Sequence, residues 1–243
     1  SPTKTHYELV MKSLSYHKHV FIEKPLVDEL EQINNCFDLA EKNNLILSVG
    51  YNRRYDPTIQ QIKSRIDSQE IGPVKYALTI SRDYPYPEEK FLKICSGIFH
   101  DCATHDIDYL NWILQDKPIS VSVSVNNNEQ VTDYNYDHVL INLNYSLGTV
   151  ACLNLSRISS SYDQRCEFYG QDGEILNNDY NPDLKVSFPE RYQQAFKNEL
   201  DSFYQCIVNQ RPALVTRDEC IANYLIAEAC QESIDKNKKI TIK

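Results

Sequence analysis

His19-Val20-Phe21-Ile22-Glu23-Lys24-Pro25 is the stretch on which the reading of this chain turns. Its apolar, β-branched and aromatic run predicts a short buried strand. The run ends in a lysine that the following proline keeps out of the helical region. An amine on fixed, extended backbone at the carboxyl end of a strand stands where open α/β sheets bind ligands. On the N-terminal side, residues 5–17 carry Leu9, Val10 and Leu14 as an apolar stripe and predict a helix. On the C-terminal side, residues 28–43 predict another, with Leu30, Ile33, Phe37 and Ala40 on one face, and 45–49 predict a second strand. Helix, strand, helix, strand implies parallel strands joined by a crossover helix.

From Tyr51 the pattern changes. A helix is expected over 57–68, a strand over 74–82, a proline-rich loop at Tyr84-Pro85-Tyr86-Pro87, and a helix over 100–114. Strands follow near 119–125, 137–145, 149–156, 165–169 and 174–177. Asp172-Gly173 predicts the hairpin turn between the last two. Within 149–156, Ala151, Leu153 and Leu155 alternate with Cys152, Asn154 and Ser156, as in a half-buried strand. Helices over 189–208 and 217–234 close the chain, the second opened by a Thr216/Glu219 capping box. The expected fold is therefore a parallel α/β portion, residues 1–51, then an α+β domain, residues 52–243. The second part has a large, mostly antiparallel open sheet with covering helices, the last of which pack back on the first part.

At 243 residues, 42% of them apolar and 24% charged, the chain is an ordinary globular protein. A net charge of −9 argues against nucleic acid or anionic membrane as a partner. Apolar runs such as Leu45-Ile46-Leu47-Ser48-Val49 are too short to span a bilayer. The eight cysteines are scattered, with no Cys-x-x-Cys spacing, and several fall in apolar phase. They read as reduced thiols, which favours the cytoplasm.

Gly97-Ile98-Phe99-His100-Asp101-Cys102-Ala103-Thr104-His105-Asp106-Ile107-Asp108 places a carboxylate and an imidazole four residues apart, on one face of a helix. With Lys24 they suit proton transfer to or from a hydroxyl. His105 is the natural base, since an imidazole titrates near neutral pH. Asp101 either hydrogen-bonds the substrate or orients the ring. Lys24 donates to the reacting oxygen and lowers the pKa of a nearby acid. Taken singly, each residue also has a plain structural explanation: a helical Asp/His pair is commonly a surface hydrogen bond, and a lysine before proline is commonly solvated. His100, Asp101, His105 and Asp108 invite a metal reading. No cysteine pair supports a closed zinc site, His100 points away from His105, and no metal is expected.

The motifs also carry a resemblance. Strand-Glu23-Lys24-Pro25, then Val49-Gly50-Tyr51-Asn52-Arg53-Arg54-Tyr55-Asp56-Pro57, Ser81-Arg82-Asp83, and Ser96-Gly97-Ile98-Phe99-His100-Asp101 with His105-Asp106-Ile107-Asp108 resemble the Gfo/Idh/MocA oxidoreductases, in particular the inositol 2-dehydrogenase branch. The ordered set covers essentially the whole chain. It implies that residues 1–51 are the second half of a Rossmann domain. It implies Lys24, Asp101 and His105 as the catalytic trio, with a nicotinamide as hydride acceptor: NAD, with NADP not excluded. Ser1, Pro2, His6, Glu23, Lys24 and Asn52 fall at cofactor-side positions. Arg53, Asp83, Asp101, His105 and Tyr162 fall at substrate-side positions, for a polyol or sugar such as myo-inositol. Arg53 or Arg54 could instead pair with Asp56, and Tyr162 could be one of 17 tyrosines at a sheet edge. The resemblance further implies a cis Lys24–Pro25 bond and homo-oligomers assembled through the C-terminal sheet.

One departure stands out. None of the six glycines forms the Gly-x-Gly-x-x-Gly turn that holds a dinucleotide pyrophosphate, and position 1 is serine. On the usual spacing roughly 50–80 residues would precede Ser1. The chain therefore reads as a fragment, inactive by itself, of a polyol dehydrogenase. The competing reading is a non-catalytic remnant that serves only in assembly or binding.

Overall fold

A computed structural model describes residues 1–126, 136–178 and 187–242. Helix α1 (His6–Ser15) leads into β1 (Val20–Glu23), and α2 (Leu30–Lys42) into β2 (Leu47–Gly50). The two strands pair in parallel, Val20 opposite Leu47 and Glu23 opposite Gly50. Val10 and Leu14 of α1 and Ile33, Cys36, Phe37 and Ala40 of α2 bury their faces against this pair. Of the expected α1 stripe, Val10 and Leu14 are buried, whereas Leu9 is exposed and His6 takes its place on the buried face. After β2 the chain tightens into a 3-10 turn, Asn52–Tyr55, all four residues of which are buried. Asp56 then caps α3 (Pro57–Asp67), its carboxylate accepting from the Thr58 and Ile59 amides at 2.9 and 3.3 Å.

The second part is built on a seven-stranded sheet of β3 (Val74–Arg82), β4 (Pro118–Asn126), β5 (His138–Tyr145), β6 (Val150–Ser156), β7 (Asp163–Gly170), β8 (Ile175–Asn177) and β9 (Ile240–Thr241). Their spatial order is β8-β7-β3-β6-β5-β4-β9. Every pairing is antiparallel except β3 with β6. That one parallel pair puts the ends of β3 and β6 side by side, with Arg82 opposite Ser156. Helices α4 (Glu89–Leu92), α5 (Thr104–Leu114), α6 (Phe188–Arg191), α7 (Gln193–Val208) and α8 (Arg217–Asp235) complete the chain. Ala77, Ile141, Leu153 and Phe168 of the sheet form one core with Ile107 and Leu110 of α5 and Ile226 and Cys230 of α8. The start of α8 also reaches the first part: Val215 and Cys220 join its core, and Arg217 pairs with Asp38 and Glu41 at 2.7 and 2.9 Å. The expected capping box is present, and Asp172-Gly173 turns the β7–β8 hairpin with Gly173 at φ 87°.

Three local expectations change. The helix expected over 100–114 begins as a π-helical turn, Phe99–Ala103, before α5. Such wide turns occur where a helix re-aims side chains. The helix expected over 189–208 is interrupted at Tyr192, whose buried ring packs on Tyr162 and Phe188. In β6, Ala151, Leu153 and Leu155 are buried and Cys152 and Asn154 half-buried, but Ser156 is buried too, its hydroxyl donating to the Ile158 carbonyl.

Candidate active site

Lys24 leaves the end of β1 through a cis bond to Pro25. Its ammonium reaches the π turn, donating to the Asp101 carbonyl at 2.5 Å and to Asp101 Oδ1 at 3.2 Å. Arg157, the residue after β6, takes the other carboxylate oxygen: Nη2 lies 2.9 Å from Asp101 Oδ2. Burial pushes the Asp101 carboxyl up, but Lys24 and Arg157 overcome it and hold the group below the ordinary range. Asp101 thus bonds to two cations, and among its described contacts there is none to His105. The imidazole is one turn on, with Nδ1 buried and without a hydrogen-bond partner. Burial first, then the charges of Lys24 and Arg53, push its pKa well below the usual histidine value. Both residues line a cavity of about 290 Å³.

The rest of the cavity wall comes from strand ends. Asp83, just beyond β3, accepts from Cys102 Sγ at 3.2 Å, and burial raises its pKa. Arg53 reaches in from the 3-10 turn. Its Nη1 lies 2.9 Å from Asp106 Oδ1, and its guanidinium sits 5.8 Å from the Tyr109 ring centre. The other Asp106 oxygen accepts from Ser81 at 2.7 Å. Tyr162 is buried and meets Phe188 edge-on at 5.8 Å, the two rings forming an apolar wall. Arg53 therefore does not pair with Asp56. Nor does Arg54, which bonds to Asp108 and Glu219, while Asp56 meets Arg191.

Of the substrate-side positions, Arg53, Asp83, Asp101, His105 and Tyr162 all line this one cavity, as do Glu23 and Lys24. Ser1, Pro2 and His6 do not: the His6 ring is buried between the carbonyls of Pro25 and Ser1, at 2.9 and 3.0 Å, and steadies the loop after Lys24. Asn52 lies buried past the end of β2, with both amide atoms lacking hydrogen-bond partners. A buried amide left unbonded is unfavourable, and it is matched to another amide such as a carboxamide. Asn52 is not among the residues that line the cavity. Arg157, Cys102, Ser81 and Phe188 were not expected in the site. The first of these follows from the parallel β3–β6 pair, which delivers Asp83 and Arg157 to the same end of the sheet, the Asp83 amide donating to the Ser156 carbonyl at 2.9 Å. The four residues that suggested a metal diverge: His100 bonds Glu228 at 2.8 Å and Asp108 bonds Arg54.

Comparison with known proteins agrees with this geometry. Residues 1–51 match the oxidoreductase family with an NAD-binding Rossmann fold, and residues 59–176 match the GFO/IDH/MocA C-terminal domain. The chain is 30% identical to an inositol 2-dehydrogenase of Rhizobium meliloti, over 100% of its own length and 79% of that protein. It is also 30% identical to a scyllo-inositol 2-dehydrogenase (NAD(+)) of Bacillus subtilis, over 96% and 73%. A solved myo-inositol dehydrogenase from Corynebacterium glutamicum superposes with a TM-score of 0.87 at 27% identity, covering 100% of this chain and 78% of that one. The ordered motifs, the fold and the cavity converge on one conclusion: the chain belongs to the Gfo/Idh/MocA oxidoreductase family.

Proposed function

We propose that this protein is an NAD-dependent dehydrogenase that oxidises a secondary hydroxyl of a cyclic polyol, with myo-inositol the first substrate to test. The observation that carries the reading is the meeting of Lys24, Asp101 and His105 in one cavity, drawn from the end of β1, the π turn and α5. Bound NAD supplies the acceptor for the hydride. His105, held uncharged by burial and by neighbouring cations, takes the hydroxyl proton. Lys24 steadies the negative charge that grows on the substrate oxygen. Asp101 fixes the Lys24 ammonium. Asn52, Glu23 and Lys24 face the nicotinamide end, and Ser1, Pro2 and His6 support the loop on the cofactor side.

The charge of the wall favours an uncharged ligand. Lys24, Arg53 and Arg157 face Glu23, Asp83 and Asp101, three cations against three carboxylates. Such a wall offers donors and acceptors to many hydroxyls without selecting a net charge, and Tyr162 and Phe188 suit the C–H face of a ring. Residues 1–51 serve as the cofactor part and 52–243 as the substrate part. The outer sheet face carries Tyr76, Leu78 and Ile80 of β3 beside Leu140 of β5 and Val150 of β6, and pairs with a second copy. Among the described residues none of the eight cysteines forms a disulfide, which suits the reducing cytoplasm, and no helix is long and apolar enough to cross a membrane. The test is NAD reduction by the full-length protein over a panel of myo-inositol, scyllo-inositol, linear polyols and hexoses. Reduction with cyclic polyols supports the reading; NAD binding with no turnover on any of them refutes it.

A further inference from the structure

Asp101 is gripped from two sides, by Lys24 on Oδ1 at 3.2 Å and by Arg157 on Oδ2 at 2.9 Å. We infer that Arg157 is a positioning residue of the reaction: by occupying one oxygen of Asp101 it leaves the Lys24 charge only partly compensated beside the reacting hydroxyl. The inference rests on the function proposed above and adds a residue to it.

Arg157 is placed firmly. It follows β6 directly, its backbone N–H donates to the Asp137 carbonyl at 2.9 Å, and its side chain is 1% exposed. Burying a guanidinium is unfavourable unless it is paired, and here Asp101 is its carboxylate partner, with Cys95 Sγ at 3.9 Å from the same nitrogen. One carboxylate between two cations carries a net single positive charge. Without Arg157, Lys24 and Asp101 would form a neutral pair. The surplus charge acts twice in the same sense. It stabilises the oxyanion that forms as the hydroxyl proton leaves. It also disfavours a proton on His105, keeping the base available.

Other charged and titratable groups face the pair from every neighbouring element: Glu23 beside Lys24 at the end of β1, Arg53 from the 3-10 turn, Asp83 beyond β3, Cys95 before the π turn and Cys102 within it, and Tyr162 before β7. Glu23 and Asp83 oppose the effect, and Arg53 is largely taken up by Asp106 at 2.9 Å. A change confined to Arg157 leaves these groups in place, so the difference from wild type reports the clamp.

The experiment measures kcat and KM against pH for full-length wild type, R157Q, R157K, D101N and D101N/R157Q, with NAD and the cyclic polyol that turns over fastest. R157Q is expected to lower kcat about 10–100-fold. KM should change less than about threefold, and the acid limb of kcat/KM should move to higher pH by roughly half a unit or more. R157K keeps the charge, so its acid limb should stay at the wild-type position. In the D101N background, R157Q should add less than about threefold. A fall in kcat with the acid limb unmoved, or a full loss from R157Q in the D101N background, would overturn the inference and leave Arg157 a folding residue. If R157Q does not fold, R157K carries the test: an acid limb displaced in this charge-preserving variant refutes the clamp. Absence of turnover in wild type would instead fault the proposed function.

Discussion

Arg54 meets Asp108 through two parallel hydrogen bonds of 2.7 Å, with both side chains fully buried. This pair ties the turn that carries Asn52 and Arg53 to α5, the helix that carries His105. Glu219 of the α8 capping box and Asn223 complete the network at 2.7 and 2.8 Å. Asp108→Ala leaves a buried guanidinium with Glu219 as its remaining carboxylate. It should destabilise the protein by about 3–5 kcal/mol in denaturant titration. The double variant R54M/D108L, which removes both charges, should lose clearly less. Equal losses from single and double variants would mean that the pair contributes shape and not charge pairing.

The pH dependence of turnover follows from the His105 environment. Burial, then Lys24 and Arg53, depress its pKa, so the neutral base persists below the ordinary histidine value of about 6.5. The acid limb of kcat/KM should therefore lie below that value. Lys24→Met removes one of the depressing charges and should move the limb upward while cutting kcat about 10²–10⁴-fold. A limb that stays put in Lys24→Met would show that the ammonium does not act on the imidazole.

Glu199, on α7, is buried with Oε2 lacking a hydrogen-bond partner, and burial followed by Glu23 pushes its pKa up to about 8. Between the unfolded value near 4.5 and this folded value, the native state holds a proton that the unfolded chain has released. Stability should therefore fall as pH rises through that window, by up to about 1.4 kcal/mol per pH unit. Glu199→Gln should flatten that slope and be more stable than wild type at pH 8. Parallel slopes in urea titrations of the two proteins would count against a buried, protonated Glu199.

Assembly through the outer sheet face predicts an oligomer in solution. Leu78 and Cys152 face each other at its centre, from β3 and β6. Leu78→Arg should reduce the assembly state in light scattering without changing the monomer's circular dichroism. A wild-type protein that is monomeric at tens of micromolar would contradict this assembly, and so would an interface confined to residues 1–50.

Much of this architecture was legible because its signals are local. The apolar run before Lys24, the Thr216/Glu219 box and the Asp172-Gly173 turn each determine their own geometry. The partners of charged residues were not legible. Arg53 and Arg54 lie close to Asp56 in sequence, yet they reach Asp106 and Asp108 on α5. Arg157 went unnoticed because its place beside Asp101 depends on β3 and β6 running parallel, a pairing between strands far apart in the chain. The π turn at Phe99–Ala103 also leaves no sequence signal distinct from a helix. It re-aims Asp101 toward Lys24 and Arg157, where helical spacing alone suggested contact with His105.

The central claim is that His105 takes the proton of a polyol hydroxyl in this cavity. The most direct test is NAD reduction by full-length wild type and His105→Ala at neutral pH with the same cyclic polyol, with cofactor affinity measured alongside. Turnover should fall about 10²–10⁴-fold while NAD affinity stays unchanged. Retention of more than about a third of wild-type turnover, far above what loss of a general base allows, would remove His105 from the chemistry and contradict the account.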